Sequence, residues 1–404
     1  MHFNRRILQT STFICSSVMM LSATASGFRL PELSTAGTSL SSAVVANPDL
    51  PGALPYNPAI MAFQKKGQLI GGVVFVQPDI SANPDIGTAS DSQGKDHIAV
   101  PNVFVTKHID EKWSWGVGVN APFGLETKWK DETFEVFDLA SDAFEPEHSK
   151  LKMLNINPNA AYQLNANTSL AFGVDNYRVL KLIFNTQDIN IDGSGDGFGW
   201  NLGLLHVQND WSFGLSYRSS VKVTIDGTLD PSALGPIPAS DAKAKIDFPS
   251  LLQIGGRYKV DERLAVELDI EKTGWSSFDT VEISHSSSGI QNPVNSESNW
   301  KNAIAYRLGA TYEISSANQL LAGYAYDKSP SNDDFFSARL PGNDRQTLSV
   351  GLAHKLANWN LEFAYMYVKA DDRKIAATNP ETIPYNGTYQ LSAHLFGFGV
   401  NTQF

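Results

Sequence analysis

Hydrolysis and acyl transfer need a serine beside a histidine that an acidic group orients, and this 404-residue chain does not offer that arrangement. It contains no G-x-S-x-G nucleophile elbow. His206, His354 and His394 share the parity of apolar neighbours in alternating segments, a poor setting for a general base, and His97, His108, His148 and His285 fall in turns or loops. The DGSGDG run at 192–197 has the composition of a calcium loop but lacks the spacing and closing glutamate of an EF-hand. It reads better as an extracellular turn. An enzyme is therefore the weaker class, and neither cofactor nor metal is expected. What remains is charge chemistry: Lys181, Lys301, Arg218 and Arg257, with Glu267, Asp269 and Glu362 as partners. Its meaning depends on which way each side chain points, and that is set by the elements that carry them.

Those elements are strands. About fourteen segments show period-two alternation, at 67–77, 98–107, 113–121, 151–162, 169–180, 198–207, 211–222, 248–258, 264–274, 302–313, 319–327, 346–356, 359–369 and 389–404. In 211–218, Trp211, Phe213, Leu215 and Tyr217 alternate with Ser212, Gly214, Ser216 and Arg218. Short polar turns (108–112, 165–167, 208–210, 260–263, 315–318, 357–358) alternate with long insertions (78–97, 122–150, 181–197, 223–247, 275–301, 328–345, 370–388). An even number of strands, apolar faces toward lipid, short turns on one side and long loops on the other predict an all-β fold, an up-and-down antiparallel outer-membrane barrel. A β-sandwich that buries the apolar faces is the alternative. Parity then aims Lys301 and Arg307 into the lumen, opposite Ile304, Tyr306 and Leu308. It aims Lys181 inward too, opposite Leu170, Phe172 and Val174, unless a bulge intervenes. Arg218 and Arg257 are expected to join Glu267, Asp269 or Glu362 in a structural network.

The ends of the chain agree. Arg5 and Arg6, an apolar run over 7–21 and Ala23-Thr24-Ala25 have the form of a secretory signal peptide, expected to be cleaved after Ala25. The single cysteine, Cys15, lies within it, so no disulfide or lipoprotein anchor is expected in the mature chain. The balance of 31 basic against 42 acidic residues, net −11, argues against nucleic acid as a partner. The closing segment places Phe396, Phe398, Val400 and Phe404 on one face, as a terminal barrel strand requires. Residues 26–66 are rich in Ser, Ala, Gly and Pro and do not alternate, so they read either as a leader or as a plug for the lumen, with 67–404 forming the barrel.

Several stretches resemble one family, the long-chain fatty acid transporters of Gram-negative outer membranes (the FadL type, which includes aromatic-hydrocarbon channels). Glu32, Ser34 and Gly37 followed by Asn57-Pro58-Ala59 resemble its N-terminal hatch. WGVGVNAPFGLETKW at 115–129 resembles its third strand and the loop beyond. Further matches are GFGWNLGLL at 197–205, GLSYRS at 214–219, GWSSFDTVEI from Gly274, NWKN from Asn299, YDKSP from Tyr326, LPGNDR from Leu340 and NGTYQLSAHLFGFGV from Asn386. The resemblance implies a monomer of about fourteen strands, plugged by the hatch, that passes long-chain fatty acids or similar hydrophobic molecules without an energy source. It implies a kinked third strand with a lateral exit, for which Gly116, Gly118 and Pro122 supply a flexible or donor-free backbone. Phe123, Leu125 and Trp129, with Phe134, Val136, Phe137, Leu139 and Phe144, would form an apolar capture surface on the outer loop, unless that loop packs on its own barrel. Glu132 and Glu135 there are candidates for bridging ions to lipopolysaccharide, the other expected partner along with outer-membrane lipid. A fatty acid's carboxylate would need a cation, for which Lys181 and Lys301 are nominated. A neutral hydrocarbon cargo and a general diffusion porin stand as alternatives.

Overall fold

A computed structural model describes residues 27–92, 97–139, 145–288 and 290–404; the expected signal peptide lies outside them. Fourteen antiparallel strands close into a barrel. They are β1 (Gln68–Pro84), β2 (Ile98–His108), β3 (Trp113–Asn120), β4 (Pro146–Asn165), β5 (Thr168–Thr186), β6 (Asn190–Gln208), β7 (Trp211–Arg218), β8 (Leu251–Lys259), β9 (Leu264–Thr273), β10 (Ala303–Ser315), β11 (Asn318–Asp327), β12 (Arg345–Leu356), β13 (Trp359–Ala370) and β14 (Gly387–Gln403). Each pairs with the next, and β14 closes on β1 through a register running from Gln68↔Gln403 to Pro84↔Gly387. The short turns are pinned locally. Asp110 accepts from the backbone N–H groups of Lys112 and Trp113, both at 2.8 Å, and Asp261 accepts from those of Arg263 and Leu264 at 2.7 and 2.8 Å. These bonds hold both exposed carboxyls below the ordinary aspartate range.

Along the membrane belt the outward positions are apolar and exposed, among them Phe172, Phe213, Ile254, Leu308 and Phe363. Their inward neighbours are small or polar. Beyond the belt the polarity inverts. The chain steps out of register after β7 and resumes as Val221–Asp230, where Val221, Val223 and Ile225 are buried inward and Lys222, Thr224 and Asp226 face out. Ser240–Phe248, which precedes β8, repeats this with Ala242, Ala244 and Ile246 inward. Strands therefore run well past the bilayer, into stretches expected to be loops. The outward face there meets water, so the greasy-outside pattern stops while the ladder continues. The 192–197 run is part of β6 rather than a turn. Its glycines allow close crossing of the Val221–Asp230 extension: a Cβ on Gly195 would lie 1.9 Å from the Thr224 carbonyl oxygen.

Nearly all of residues 28–64 are buried against the inward faces of the strands. A one-turn helix α1 (Thr35–Ser39) is capped by Ser34, whose Oγ accepts from Gly37 N–H at 3.0 Å and donates to the Gly52 carbonyl at 2.7 Å. Asn57 accepts from Ala59 N–H at 3.1 Å while its amide donates to the carbonyls of Val45 and Leu204, at 2.9 and 3.0 Å. Asn57, Pro58 and Ala59 thus tie this segment to itself and to β6. Lumen carboxylates take its backbone donors: Asp269 accepts from Val44 and Val45 N–H at 2.8 and 3.0 Å, and Glu267 from Ala46 N–H at 2.7 Å. The arginine network exists, with Arg257 on Glu267 as expected and Arg218 on a carboxylate not among those expected. Arg218 pairs with Asp175, Arg257 with Glu267 at 3.7 Å, and Arg307 bridges Glu271 and Asp327 at 3.1 and 2.9 Å.

Candidate functional site

The barrel wall is interrupted beside β3. β2 pairs with β3 only from Val103↔Val119 to His108↔Ser114, so residues 98–102 have no partner on that side. β3 ends at Asn120 and its path resumes as Gly124–Lys128, both pieces pairing with β4. Pro122, which has no N–H to give a ladder, sits inside the break. Gly116 and Gly118 do not: both lie in the regular ladder. A Cβ on Gly116 would meet the Met61 sulfur at 2.6 Å, and one on Gly118 the Phe104 ring at 2.7 Å, so these glycines clear neighbours, and of the three residues expected at the kink only Pro122 lies in the interruption at 121–123.

At the break, residues 28–30 take the place of a strand. Leu30 N–H donates to the Pro122 carbonyl at 2.9 Å, and Gly124 N–H donates to the Phe28 carbonyl at 3.1 Å. Phe28 is held by a ring of aromatics, with centroids at 4.8 Å from Trp275, 5.3 Å from Phe278 and 5.9 Å from both Phe123 and Trp300. Trp275 and Trp300 come from the GWSSFD and NWKN runs.

Beside this segment lies a cavity of about 740 Å³, within the range of ligand sites. Its wall combines residues from both faces of the barrel: Val100, Phe123 and Met153 are buried inward, whereas Pro101, Lys152 and Leu180 are exposed on the outer face. The cavity therefore reaches through the wall. A second cavity of about 90 Å³ shares Phe28, Leu125, Lys150, Leu151 and Leu340 with the first and is lined almost wholly by apolar side chains.

Phe123 and Leu125 line the larger cavity, and Leu125 both. Trp129 lines neither. It is buried with Phe134 and Phe137 against Phe336 and Tyr385, and its indole N–H donates to the Ala338 carbonyl at 3.0 Å. Over Trp129, Phe134 and Phe137 the loop packs on its neighbours instead of exposing a capture surface; Phe144 lies outside the described residues. Lys181 lies within a register shift between Val179 and Leu182. That shift turns Leu182 and Phe184 toward the core and sends Lys181 outward, to Asp192 at 2.5 Å. Lys301 precedes β10 and is exposed, while its neighbour Trp300 is the residue that reaches the cavity. Neither lysine lines these cavities.

Sequence reasoning missed Arg339. This buried residue lines the smaller cavity, donates from Nη1 to Ser149 Oγ at 2.8 Å, and stacks its guanidinium carbon 3.8 Å from the Phe184 ring centroid. It lies in a loop no alternation places, next to LPGNDR, whose spacing was the only signal available. Among the described residues no group of three or more metal-ligating side chains converges.

A family model described as "Outer membrane protein transport protein (OMPP1/FadL/TodX)" matches residues 16–404. The chain is 25% identical to outer membrane protein P1 of Haemophilus influenzae over 474 residues, covering 100% of this chain and 99% of that protein. It is 26% identical to a long-chain fatty acid transport protein of Escherichia coli over 458 residues, covering 99% and 100%. In fold it is similar to a FadL homologue of Pseudomonas aeruginosa, with TM-score 0.80, 19% identity and coverage of 94% and 100% of the two chains. It is also similar to the toluene transporter TbuX of Ralstonia pickettii, with TM-score 0.69, 16% identity and coverage of 92% and 98%.

Proposed function

The chain belongs to the OMPP1/FadL/TodX family of outer membrane transport proteins, and from that premise we propose that it is a passive outer-membrane channel for long-chain fatty acids or similar hydrophobic molecules. The observation that carries the reading is the apolar cavity whose wall includes both faces of the barrel at the break in β3. A greasy molecule entering from the extracellular vestibule would meet inward Val, Ile and Ala side chains and leave sideways toward lipid, without crossing the polar lumen. Phe123 and Leu125 form its contact surface, Pro122 lies at the lateral exit, and residues 28–66 act as a hatch anchored through Asn57, Pro58 and Ala59. The protein works as a monomer, reached by export on the signal peptide, and contacts lipopolysaccharide through its outer charged face.

An aromatic hydrocarbon is the second cargo class, favoured by the ring-lined pocket around Phe28. A general diffusion porin fits less well, since such a pore keeps a hydrated lumen. Conductance in planar bilayers separates them. The intact protein is expected to pass little steady ion current, and a variant lacking residues 26–54 to form a heat-modifiable barrel with clear conductance steps. Large stable steps from the intact protein would overturn the plugged-channel reading.

A further inference from the structure

Charge on β9 and β11 is sorted by face. Glu267, Asp269, Glu271 and Asp327 are buried inward, whereas Lys272 is exposed outward and Lys328 follows the inward Asp327 at the end of β11. The ladder puts both lysines on one row. Lys272 is the cross-strand partner of Ile304, and Lys328 N–H donates to the Ile304 carbonyl at 3.1 Å. They therefore flank Ile304 with backbones about 10 Å apart, two strand spacings. Lys301, just before β10, is exposed too, because its neighbour Trp300 is the one buried, and its N–H donates to the Pro330 carbonyl at 2.8 Å, close to Lys328. Among the described residues none of the three makes an ion pair or a side-chain hydrogen bond. The outward Lys222, Lys243 and Lys369 differ: Asp247, Asp226 and Asp372 hold them at 3.4, 2.7 and 3.3 Å.

Below this row, toward the periplasm, the outward positions are Ile270, Tyr306 and Tyr326, and below those Leu268, Leu308 and Tyr324. One outward step along a tilted strand rises about 5 Å. The ammonium groups thus stand one step above a patch of aliphatic and tyrosine side chains, where the hydrocarbon of the outer leaflet gives way to headgroups. We propose that Lys272, Lys301 and Lys328 form a docking site for the phosphate of lipopolysaccharide, the phosphorylated glycolipid of that leaflet, with its acyl chains lying on the apolar patch below. This rests on the outer-membrane placement of the barrel, and it supplies the lipopolysaccharide contact with a direct ammonium–phosphate chemistry that needs no bridging ion. The four-carbon stems of Lys272 and Lys328 let both ammoniums close on one phosphate over Ile304 without any change in the ladder. Charge complementarity favours an anionic lipid over a neutral one, since no carboxylate of the protein competes for these cations.

The test measures the affinity of the detergent-purified, heat-modifiable barrel for lipid A bearing its phosphates and for the same lipid dephosphorylated, each in mixed micelles at physiological salt. Wild type should prefer the phosphorylated form, and K272A/K301A/K328A should lose that preference, by about fivefold for each lysine removed. K222A/K243A/K369A removes the same charge from lysines that carboxylates already hold, and it should bind lipid A as wild type does. K272R/K301R/K328R should keep the preference. Oleate affinity should be the same in all of them, since none of these lysines lines the cargo cavities. Should the first triple variant fail to assemble, K272A and K328A should each show a single step of the loss. Equal loss in the two alanine triples reduces the effect to net charge and overturns the site, as does equal binding of the two lipids by wild type. Displacement of lipid A by inorganic phosphate, beyond that by chloride of equal ionic strength, overturns the lipid as the source of the phosphate. Wild type that binds oleate but neither lipid overturns the site and leaves the channel reading standing, whereas wild type that binds none of the three overturns both.

Discussion

Leu30 donates its backbone N–H to the carbonyl oxygen of Pro122 at 2.9 Å. This one bond joins the segment that fills the lumen to the point where the barrel wall opens. A Cβ on Gly124, two residues further on, would come within 2.9 Å of Leu30 Cδ1, so segment and break are fitted at side-chain scale. On the proposed lateral route, a movement of residues 28–30 would have to break this pairing with residues 122–124.

Leu125 lies in the wall common to both cavities. Leu125→Trp should occupy that space and weaken charged and neutral cargo alike, by on the order of tenfold. Ligand titrations with oleate and methyl oleate read this directly. Unchanged affinity for both would place the cargo elsewhere.

Phe404 follows β14, is 63% exposed, and donates its backbone N–H to the Gly67 carbonyl at 2.9 Å. Phe404→Asp keeps that bond but places a charge beside the lipid face of the closing strand, which costs about 1 kcal/mol or less near an interface and more at depth. The expected result is reduced outer-membrane assembly, measured as the heat-modifiable fraction on gels. Assembly at wild-type level would show that the closing strand tolerates a charge at its end.

The fourteen strands were legible because a lipid-facing wall imposes strict alternation, visible in Trp211 to Tyr217 and in Trp359 to Tyr367. Their extensions were not. Once Lys222, Thr224 and Asp226 face water, the outward positions carry no hydrophobic mark and only the inward Val221, Val223 and Ile225 remain. Lys181 was assigned to the lumen because parity propagates without error only in an unbroken ladder; the shift between Val179 and Leu182 leaves no trace in hydropathy. Trp129 reads as an exposed loop aromatic until Ala338, some two hundred residues away, is seen to accept its N–H. Arg339 is the same problem in reverse: its neighbours Ser149 and Phe184 come from β4 and β5, a juxtaposition that closure of the barrel creates.

Asp344 gives the outer loops a pH dependence. It is fully buried and accepts from the Tyr326 hydroxyl at 2.8 Å and from Ser329 N–H at 3.0 Å. Burial pushes its carboxyl up to about 8 from the usual 3.8, Asp371 adds to the rise, and Arg373 opposes it. The folded loop therefore holds this proton more tightly than the unfolded one, so the contribution is complete below about pH 4 and is lost as pH rises through about 8. Protease nicking within 328–344 should increase from pH 5 to pH 9, and Asp344→Asn should flatten that increase. A nicking rate that falls over this range, or an unaltered slope in the variant, would contradict the assignment.

The most direct test of the channel account is to locate cargo in the protein. Crystals soaked with a fatty acid brominated along its chain should show anomalous bromine density in the cavity between Phe123, Leu125 and Met153, at the break opposite Pro122. Density on the barrel axis among residues 35–62, or confined to the outer surface, would contradict a lateral route through the wall.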